Sequence, residues 1–481
     1  MGFMRKEKDF IGEAELPGNV LYGINAWRSN LNFPDQTPFH KEWYCAMGLV
    51  KLAAYRTIIA FRETALKQLP GIKMPAGLED ISIFEKLAEA AAEVSAGQHY
   101  EYFIVPAIQG GAGTSINMNV NEILANLALQ KSGKLPGNYE YVDPLRHANL
   151  FQSTNDVVPT ALKLASMQLL TKLEDAINAL RSSVEKAEGS HRNALRIAYT
   201  QMQEALPSSW GMLFSAYSDA LSRDWWRVSK CFERIKVVNL GGGATGSGMA
   251  IPRYFVMEAV SHLQKLTYLP LTRSENLADA TQNLDAFVEV HAILKAHAVN
   301  LEKIASDIRL LASDIAGKGE ISIPQKQIGS SIMPGKVNPV IPEFVISVAH
   351  KVYSNDMLVS SLCGRACLDL NAYLPMIGHA MLESLKLLIA ATSSLKNNLV
   401  DGLMINSSIS LEKLLSSPSI TTALMPVIGY EKASEMANYM KQHRCDVFAA
   451  NDILNYLPVA QLREMLKAER LLRLGYSIRN F

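Results

Sequence analysis

With 481 residues, 48% of them apolar, the chain is long enough for several domains and a sizeable core. Its 47 Lys and Arg against 46 Asp and Glu leave a net charge of +1, which gives no electrostatic footing for nucleic acid or an anionic membrane surface. The cysteines (Cys45, Cys231, Cys363, Cys367 and Cys445) are scattered and odd in number, which argues against a disulfide framework.

The opening Met1-Gly2-Phe3-Met4-Arg5-Lys6 lacks the apolar stretch of a signal peptide. Gly2 invites myristoylation, but Lys6 stands where that motif needs Ser or Thr. No apolar run reads as long enough to span a bilayer, so a cytoplasmic protein is expected. Gly110-Gly111-Ala112-Gly113 then runs into Thr114-Ser115 and a helical pattern. A glycine loop feeding a helix N-terminus presents free N–H groups to an anion, and the hydroxyls of Thr114 and Ser115 add donors. Pro136-Gly137-Asn138 and Asp143-Pro144 punctuate the end of a first unit. Ser153-Thr154-Asn155 precedes a helix expected to carry Pro159 in its first turn and Asn155 or Asp156 as its cap.

Helical periodicity dominates the remainder of the chain. Leu162, Leu169, Leu173, Ile177, Leu180 and Val184 form one apolar seam; Val290, Ile293, Leu294, Leu301, Ile304, Ile308, Leu311 and Ile315 form another. Segments 209–236, 340–363 and 374–400 also read as helices, whereas strand signals are short, as at 236–240. The pattern predicts a mainly α protein of long packed helices. His291 and His297 lie six apart on one helix, off a common face, and His297 falls in the apolar seam as a bundle histidine; His379 is expected at a helix start. Cys363 and Cys367, one turn apart, lack a second ligand pair and read as buried thiols, so no metal is assigned.

The densest chemistry lies in Gly329-Ser330-Ser331-Ile332-Met333-Pro334-Gly335-Lys336-Val337-Asn338-Pro339. Two hydroxyls, a cation and an amide sit among glycines and prolines, which suit neither a helix nor a strand interior. A serine hydroxyl becomes a base or nucleophile only where its surroundings favour the alkoxide. Lys336 and nearby backbone N–H groups are the candidates to supply that.

This segment resembles the signature loop of the aspartase/fumarase superfamily, whose members eliminate ammonia, water or a larger amine from a succinyl-type substrate and release fumarate. Two further regions, residues 110–122 and 152–160, resemble family elements in the expected order. Tyr22 to Arg28 resembles an N-terminal element, and Thr422 to Ala433 the third domain. The likeness covers nearly the whole chain and is greatest to the aspartase and class II fumarase branch. It implies a three-domain fold with a long central helical bundle: residues 1–144, 145–398 and a small helical domain at 399–481. It also implies a homotetramer sharing one bundle, with three subunits building each site.

The same resemblance implies the site residues. Ser330 matches the family base, which takes the proton next to one carboxylate and leaves an aci-carboxylate. Stabilising that developing charge is usually the largest catalytic term. Ser331 donates to a substrate carboxylate; Lys336 and Asn338 hold the other, as point charge and oriented donor. Ser153 and Thr154 contact substrate oxygens, Asn155 touches the leaving group, and Thr200 helps bind a carboxylate. Glu343 and His147 keep family places as supporting residues, and Asp156 is structural. Pro324 and Gly329 would hinge the loop as a lid over substrate; a loop equally ordered with and without a substrate analogue would refute this.

Tyr199-Thr200-Gln201-Met202-Gln203-Glu204-Ala205 resembles the family element Gly-Arg-Thr-His/Gln-Leu-x-Asp-Ala. Fumarases typically place His at the position of Gln201. A hydroxide leaving group needs protonation, which Gln cannot provide, whereas ammonium departs as neutral ammonia. Gln201 still accepts a hydrogen bond through its carbonyl. The expectation is an aspartate ammonia-lyase activity on L-aspartate and fumarate, with no organic cofactor, no nucleic-acid partner and no membrane. The alternatives are a fumarase, a lyase for an N-substituted aspartate, or a non-catalytic helical scaffold. Four departures stand out: Ala198-Tyr199 replaces the family Gly-Arg, Glu204 replaces Asp, Met425 stands where Asn is common, and Arg146, beside His147, departs from the family residue.

Overall fold

The computed structural model describes residues 3–317 and 319–476; Gly2 lies outside them. Helices take up 62% of the described residues, in line with the helical periodicity of the sequence. The first elements are the antiparallel strands β1 (Met4–Lys8) and β2 (Glu13–Pro17). Alternation turns Arg5, Glu7, Ala14 and Leu16 inward. The inward charges are tolerated because they pair at 2.8 Å and Glu7 Oε2 also accepts Ile24 N–H at 2.7 Å.

Helix α1 (Ile24–Asn32) starts at Gly23 without a side-chain cap of its own. Glu122 caps it from a distance: Oε2 accepts Gly23 N–H at 2.8 Å and Ala26 N–H at 3.1 Å, and Oε1 accepts Asn25 N–H at 2.7 Å. A Cβ on Gly23 would fall 2.7 Å from Glu122 Cδ, so glycine permits the approach. Helices α2 (Lys41–Gln68), α3 (Ile81–Ser95) and α4 (Thr114–Lys131) come next, and α4 is buried on every face from Ile116 to Leu129.

Helix α5 (Thr154–Ser190) buries its whole predicted seam, Leu162 to Val184. Asp156 shares in its cap, as expected, but the helix begins already at Thr154. Ser153 and Asp156 cap it reciprocally, Asn155 N–H donating to Ser153 Oγ at 3.2 Å and Ser153 N–H to Asp156 Oδ1 at 2.9 Å. Pro159 lies inside the helix, beyond the first turn.

Strands β3 (Leu195–Thr200) and β4 (Gln203–Ser209) form an antiparallel hairpin ahead of α6 (Trp210–Ile235). Strand β5 (Val237–Val238), helix α7 (Arg253–Thr267) and strand β6 (Thr272–Arg273) come next, with β5 and β6 parallel. Helices α8 (Leu277–Gln282) and α9 (Asp285–Leu311) precede β7 (Ile321–Ser322). Helix α9 stops at Leu311, and Ile315, expected in its seam, lies in the succeeding turn at 93% exposure. Beyond the signature segment come α10 (Val340–Cys363), α11 (Leu374–Asn398) and β8 (Met404–Ile405), the last pairing antiparallel with β7. Helix α10 ends at Cys363, so Cys367 lies off the helix; it is exposed rather than buried. His379 sits in the second turn of α11, not at its start. The chain closes with α12 (Ser407–Ser416), α13 (Met425–His443), α14 (Val447–Leu454), α15 (Val459–Met465) and α16 (Ala468–Leu471).

The described residues form two compact units: those within 1–174, 227–296 and 350–388 make the first, and those within 175–226, 297–349 and 389–481 the second. In the first, α2 packs on α3 and α7, and α4 on α1 and α3. In the second, Leu195 and Ile197 of β3 join Leu414, Ile420, Leu424, Met436 and Val447 in one core.

Two helical stretches, Lys41–Gln68 and Leu374–Gly402, are long and apolar enough to cross a membrane by length and composition, contrary to the sequence reading. Their most apolar windows are 67% and 61% buried within the protein. That burial accounts for the composition: a helix covered on most of its faces carries apolar residues all round.

Candidate active site

The expected site residues fall into two groups, one in each unit. In the first unit, Gly111, Ala112 and Gly113 have φ of 86°, 57° and 89°, a left-handed run that turns the backbone into α4. Gly113 is the N-cap and contributes no side-chain hydrogen bond, so the first turn of α4 is left for another acceptor. Thr114 is exposed and Ser115 half-buried at this terminus.

Beneath it lies a polar layer. Asn117 Nδ2 donates to Thr154 Oγ1 at 3.2 Å and to Asn149 Oδ1 at 3.0 Å; Asn121 Nδ2 and Lys51 Nζ reach the same Asn149 oxygen at 3.1 and 3.4 Å. The starts of α4 and α5 are thereby tied together through Thr154. Lys51 and Asp156 are both fully buried. Burial pushes the Lys51 ammonium down to about 7, against the opposing pull of Asp156. Burial pushes the Asp156 carboxyl up to about 6, although backbone N–H groups and Lys51 favour its charged form.

Ser153, Thr154 and Asn155 are half-buried and lie at or next to the start of α5. The sequence reading missed the segment that backs them, Gly241 to Gly248. Asp156 Oδ2 accepts the N–H groups of Gly241 and Gly243 at 3.2 and 3.0 Å, and Asn155 Nδ2 donates to Ala244 O at 2.8 Å. A visible signal existed: glycines 241–243, 246 and 248 come directly after the strand signal at 236–240. His147 is a buried turn residue whose Nδ1 accepts Asp143 N–H at 2.9 Å. Burial lowers its pKa, keeping it a neutral acceptor.

In the second unit, Thr200 and Gln201 sit at the tip of the β3–β4 hairpin. Gln201 and Met202 have φ of 52° and 60° between the paired Thr200 and Gln203, which is the two-residue turn with both central residues left-handed. Neither is glycine, so the turn stores strain of roughly 1–2 kcal/mol per residue. Strain of that kind clusters at functional sites. Glu204, in place of the family Asp, accepts the Ser417 hydroxyl at 2.7 Å.

The signature segment is a loop closed on itself. Gly329 N–H donates to Lys336 O at 2.8 Å, and Asn338 Nδ2 donates to Gly329 O at 2.8 Å. A Cβ at Gly329 would lie 2.6 Å from Lys336 O, so this closure requires glycine. Within the loop, Ser330 Oγ accepts two backbone N–H groups, from Ile332 at 3.2 Å and Met333 at 3.0 Å. An oxygen so held bears negative charge better than a free hydroxyl. Ser330 and Asn338 are half-buried; Ser331 and Lys336 are exposed. Glu343, in the first turn of α10, meets Arg309 at 3.3 Å.

The two α9 histidines belong to neither group. His291 bonds Asp356 and Ser384 at 3.2 and 2.9 Å, and His297 bonds Asp224 and Thr392 at 2.9 and 3.0 Å. Both are fully buried with both ring nitrogens engaged, as the bundle reading of His297 expects.

Residues 63–354, more than half of the chain, match the lyase family. Aspartate ammonia-lyases of Bacillus subtilis and Helicobacter pylori are 37% and 35% identical over 435 and 470 residues; the alignments cover 90% and 98% of this chain and 88% and 98% of theirs. That of Escherichia coli is 34% identical over 483 residues, covering 99% of this chain and 98% of its own. Among solved structures, a fumarate lyase/delta-crystallin protein of Brucella melitensis bound to cobalt superposes with a TM-score of 0.89 at 34% identity, over 98% of this chain and 100% of that one. A class II fumarase of Schistosoma mansoni gives 0.85 at 27% identity, over 97% and 98%. The chain belongs to the lyase family, within the aspartase/fumarase superfamily. It is an enzyme of that family, and its full-length sequence likeness runs to aspartate ammonia-lyases.

Proposed function

We propose that this carbon–nitrogen lyase eliminates ammonia reversibly from L-aspartate to give fumarate. The observation that carries the reading is Ser330 Oγ held by the N–H groups of Ile332 and Met333. As an alkoxide, Ser330 takes the Cβ proton, and the electrons left behind enter the neighbouring carboxylate as an aci-carboxylate. The C–N bond then breaks, its electron pair leaves with neutral ammonia, and the carbon–carbon double bond of fumarate forms. Lys336 and Asn338 hold one carboxylate, and Ser331, Thr200 and the N-terminus of α4 with Thr114 and Ser115 supply further donors. Ser153 and Thr154 contact substrate oxygens, Asn155 and Gln201 face the departing nitrogen, and Glu343 and His147 support the site. A homotetramer brings these groups together from neighbouring subunits, with the three-part division at 144 and 398 along each chain. No organic cofactor enters these steps.

The likeness to a solved class II fumarase favours one second reading, elimination of water from L-malate. Absorbance of fumarate formed from L-aspartate and from L-malate in parallel separates the two. Fumarate from aspartate alone supports the ammonia-lyase; fumarate from malate alone replaces it with a fumarase. Turnover of neither directs attention to N-substituted aspartates and then to a scaffold without activity.

A further inference from the structure

The arginine that the family resemblance expects at position 199 is a tyrosine here, yet a cation stands beside that position. Lys413, on α12, places Nζ 5.3 Å from the Tyr199 ring centroid and 2.6 Å from Glu320 Oε1. It also donates to Ala316 O at 3.4 Å. Glu320 is 2% exposed and immediately precedes β7, the strand from which the signature loop departs. Its carbonyl accepts Asn406 N–H at 2.8 Å, and β7 pairs with β8 through Ile321 and Ile405. Tyr199 immediately precedes Thr200 and Gln201. On the same hairpin, Arg196 stands 6.0 Å from the Tyr199 ring and 5.0 Å from that of Trp210, whose Nε1 donates to Ser410 of α12 at 3.0 Å.

We infer that Lys413 is a positioning residue that joins the stem of the Ser330 loop to the hairpin carrying Thr200 and Gln201, supplying from α12 the cation that the resemblance expects at position 199. A buried carboxylate requires a paired cation, and an aromatic face next to that cation adds a second attraction. Glu320 supplies the carboxylate on the loop stem and Tyr199 the face on the hairpin, so one ammonium fixes both. Arginine at 199 would place cation and hairpin in the same residue; tyrosine at 199 requires the charge to come from elsewhere. Burial alone would lower the Lys413 pKa, but the Glu320 carboxylate raises it above its usual value and keeps the group charged.

The catalytic consequence rests on the lyase reading above. The test compares wild type, Lys413→Met, Lys413→Arg and the transposed double variant Tyr199→Arg/Lys413→Met, by L-aspartate kinetics and by amide hydrogen exchange of segments 195–209 and 319–339. Lys413→Met is expected to lower kcat by on the order of 10²-fold, the usual cost of a small misplacement in a site, with a smaller change in KM. Exchange should quicken in both segments. Lys413→Arg and the transposed double variant should recover most of the turnover and the protection of both segments. If Lys413→Met does not fold, the double variant decides against wild type alone: folding with turnover supports the transposition, and failure to fold overturns it. Unchanged kcat in folded Lys413→Met overturns the proposal, as does a double variant no better than the single one. If wild type forms no fumarate from aspartate, the lyase reading fails separately. The exchange arm then decides: loosening and rescue of both segments supports the joining role, and loosening of one alone overturns it.

Discussion

Asn239 donates its side-chain amide at 2.8 Å to the carbonyl of Asn155, the group that Pro159 leaves without its helical N–H donor. A proline inside a helix removes the bond to the residue four back and crowds that carbonyl. Here the freed acceptor is taken by a residue 84 positions away, and Asn155 is one of the expected substrate contacts. The same Asn239 amide also bonds Thr281 Oγ1 at 2.9 Å.

Asn239→Ala should therefore destabilise the fold by about 1–3 kcal/mol, the cost of leaving buried polar groups unpaired. It should also lower kcat/KM for aspartate, because the start of α5 is no longer held. Urea unfolding and steady-state kinetics check both; full stability with full activity would show that Asn239 is dispensable.

Lys51 and Asp156 give a pH prediction with a definite sign. The folded-state pKa of Lys51, about 7, lies below its ordinary value of 10.5. Between those values the unfolded chain binds more protons, so the Lys51 contribution to stability rises with pH across that window and is flat below it. Asp156, pushed up to about 6 from 3.8, titrates lower, and its contribution falls as pH rises through that interval. Subtracting the stability–pH curve of Lys51→Met from that of wild type isolates the lysine. The difference should climb from pH 7 to 10; a flat difference would mean that Lys51 titrates normally.

Ser330→Ala removes the proposed base from a half-buried loop position that contributes little to any core. Turnover should fall by roughly 10²–10⁴-fold, the range for a lost general base, while melting temperature and assembly state stay as in wild type. Activity within a few-fold of wild type would move the base elsewhere.

Gln201→His tests the leaving-group argument. The residue is at an exposed turn with φ of 52°, a conformation that histidine adopts more readily than most side chains. Fumarate formation from malate should rise relative to that from aspartate, since imidazolium donates a proton that Gln cannot. An unchanged ratio of the two activities would remove Gln201 from the choice of leaving group.

Short-range pattern made much of this protein legible in the chain alone. Every residue of the Leu162–Val184 seam is buried, and α6, α10 and α11 lie within two residues of their expected bounds. The same reasoning extended α9 to Ile315, because an apolar residue in step with a helix keeps the period after the backbone has turned away. The dense 329–339 motif was visible because its hydroxyls, lysine and amide are adjacent. The glycine run at 241–248 was equally visible but carried no side chain that announces chemistry.

Periodicity and motif depend on neighbours along the chain, so the helical class, the family and the adjacent groups around Ser330 are written in the order of residues. Folding in three dimensions is what makes Glu122 cap α1, Asn239 repair the gap at Pro159, and Lys413 stand beside Tyr199 where the resemblance expects an arginine. Each of these unites groups far apart in the chain. Hydrogen bonds and ion pairs act over a few ångströms of space, whatever the separation in sequence, so no local pattern announces them.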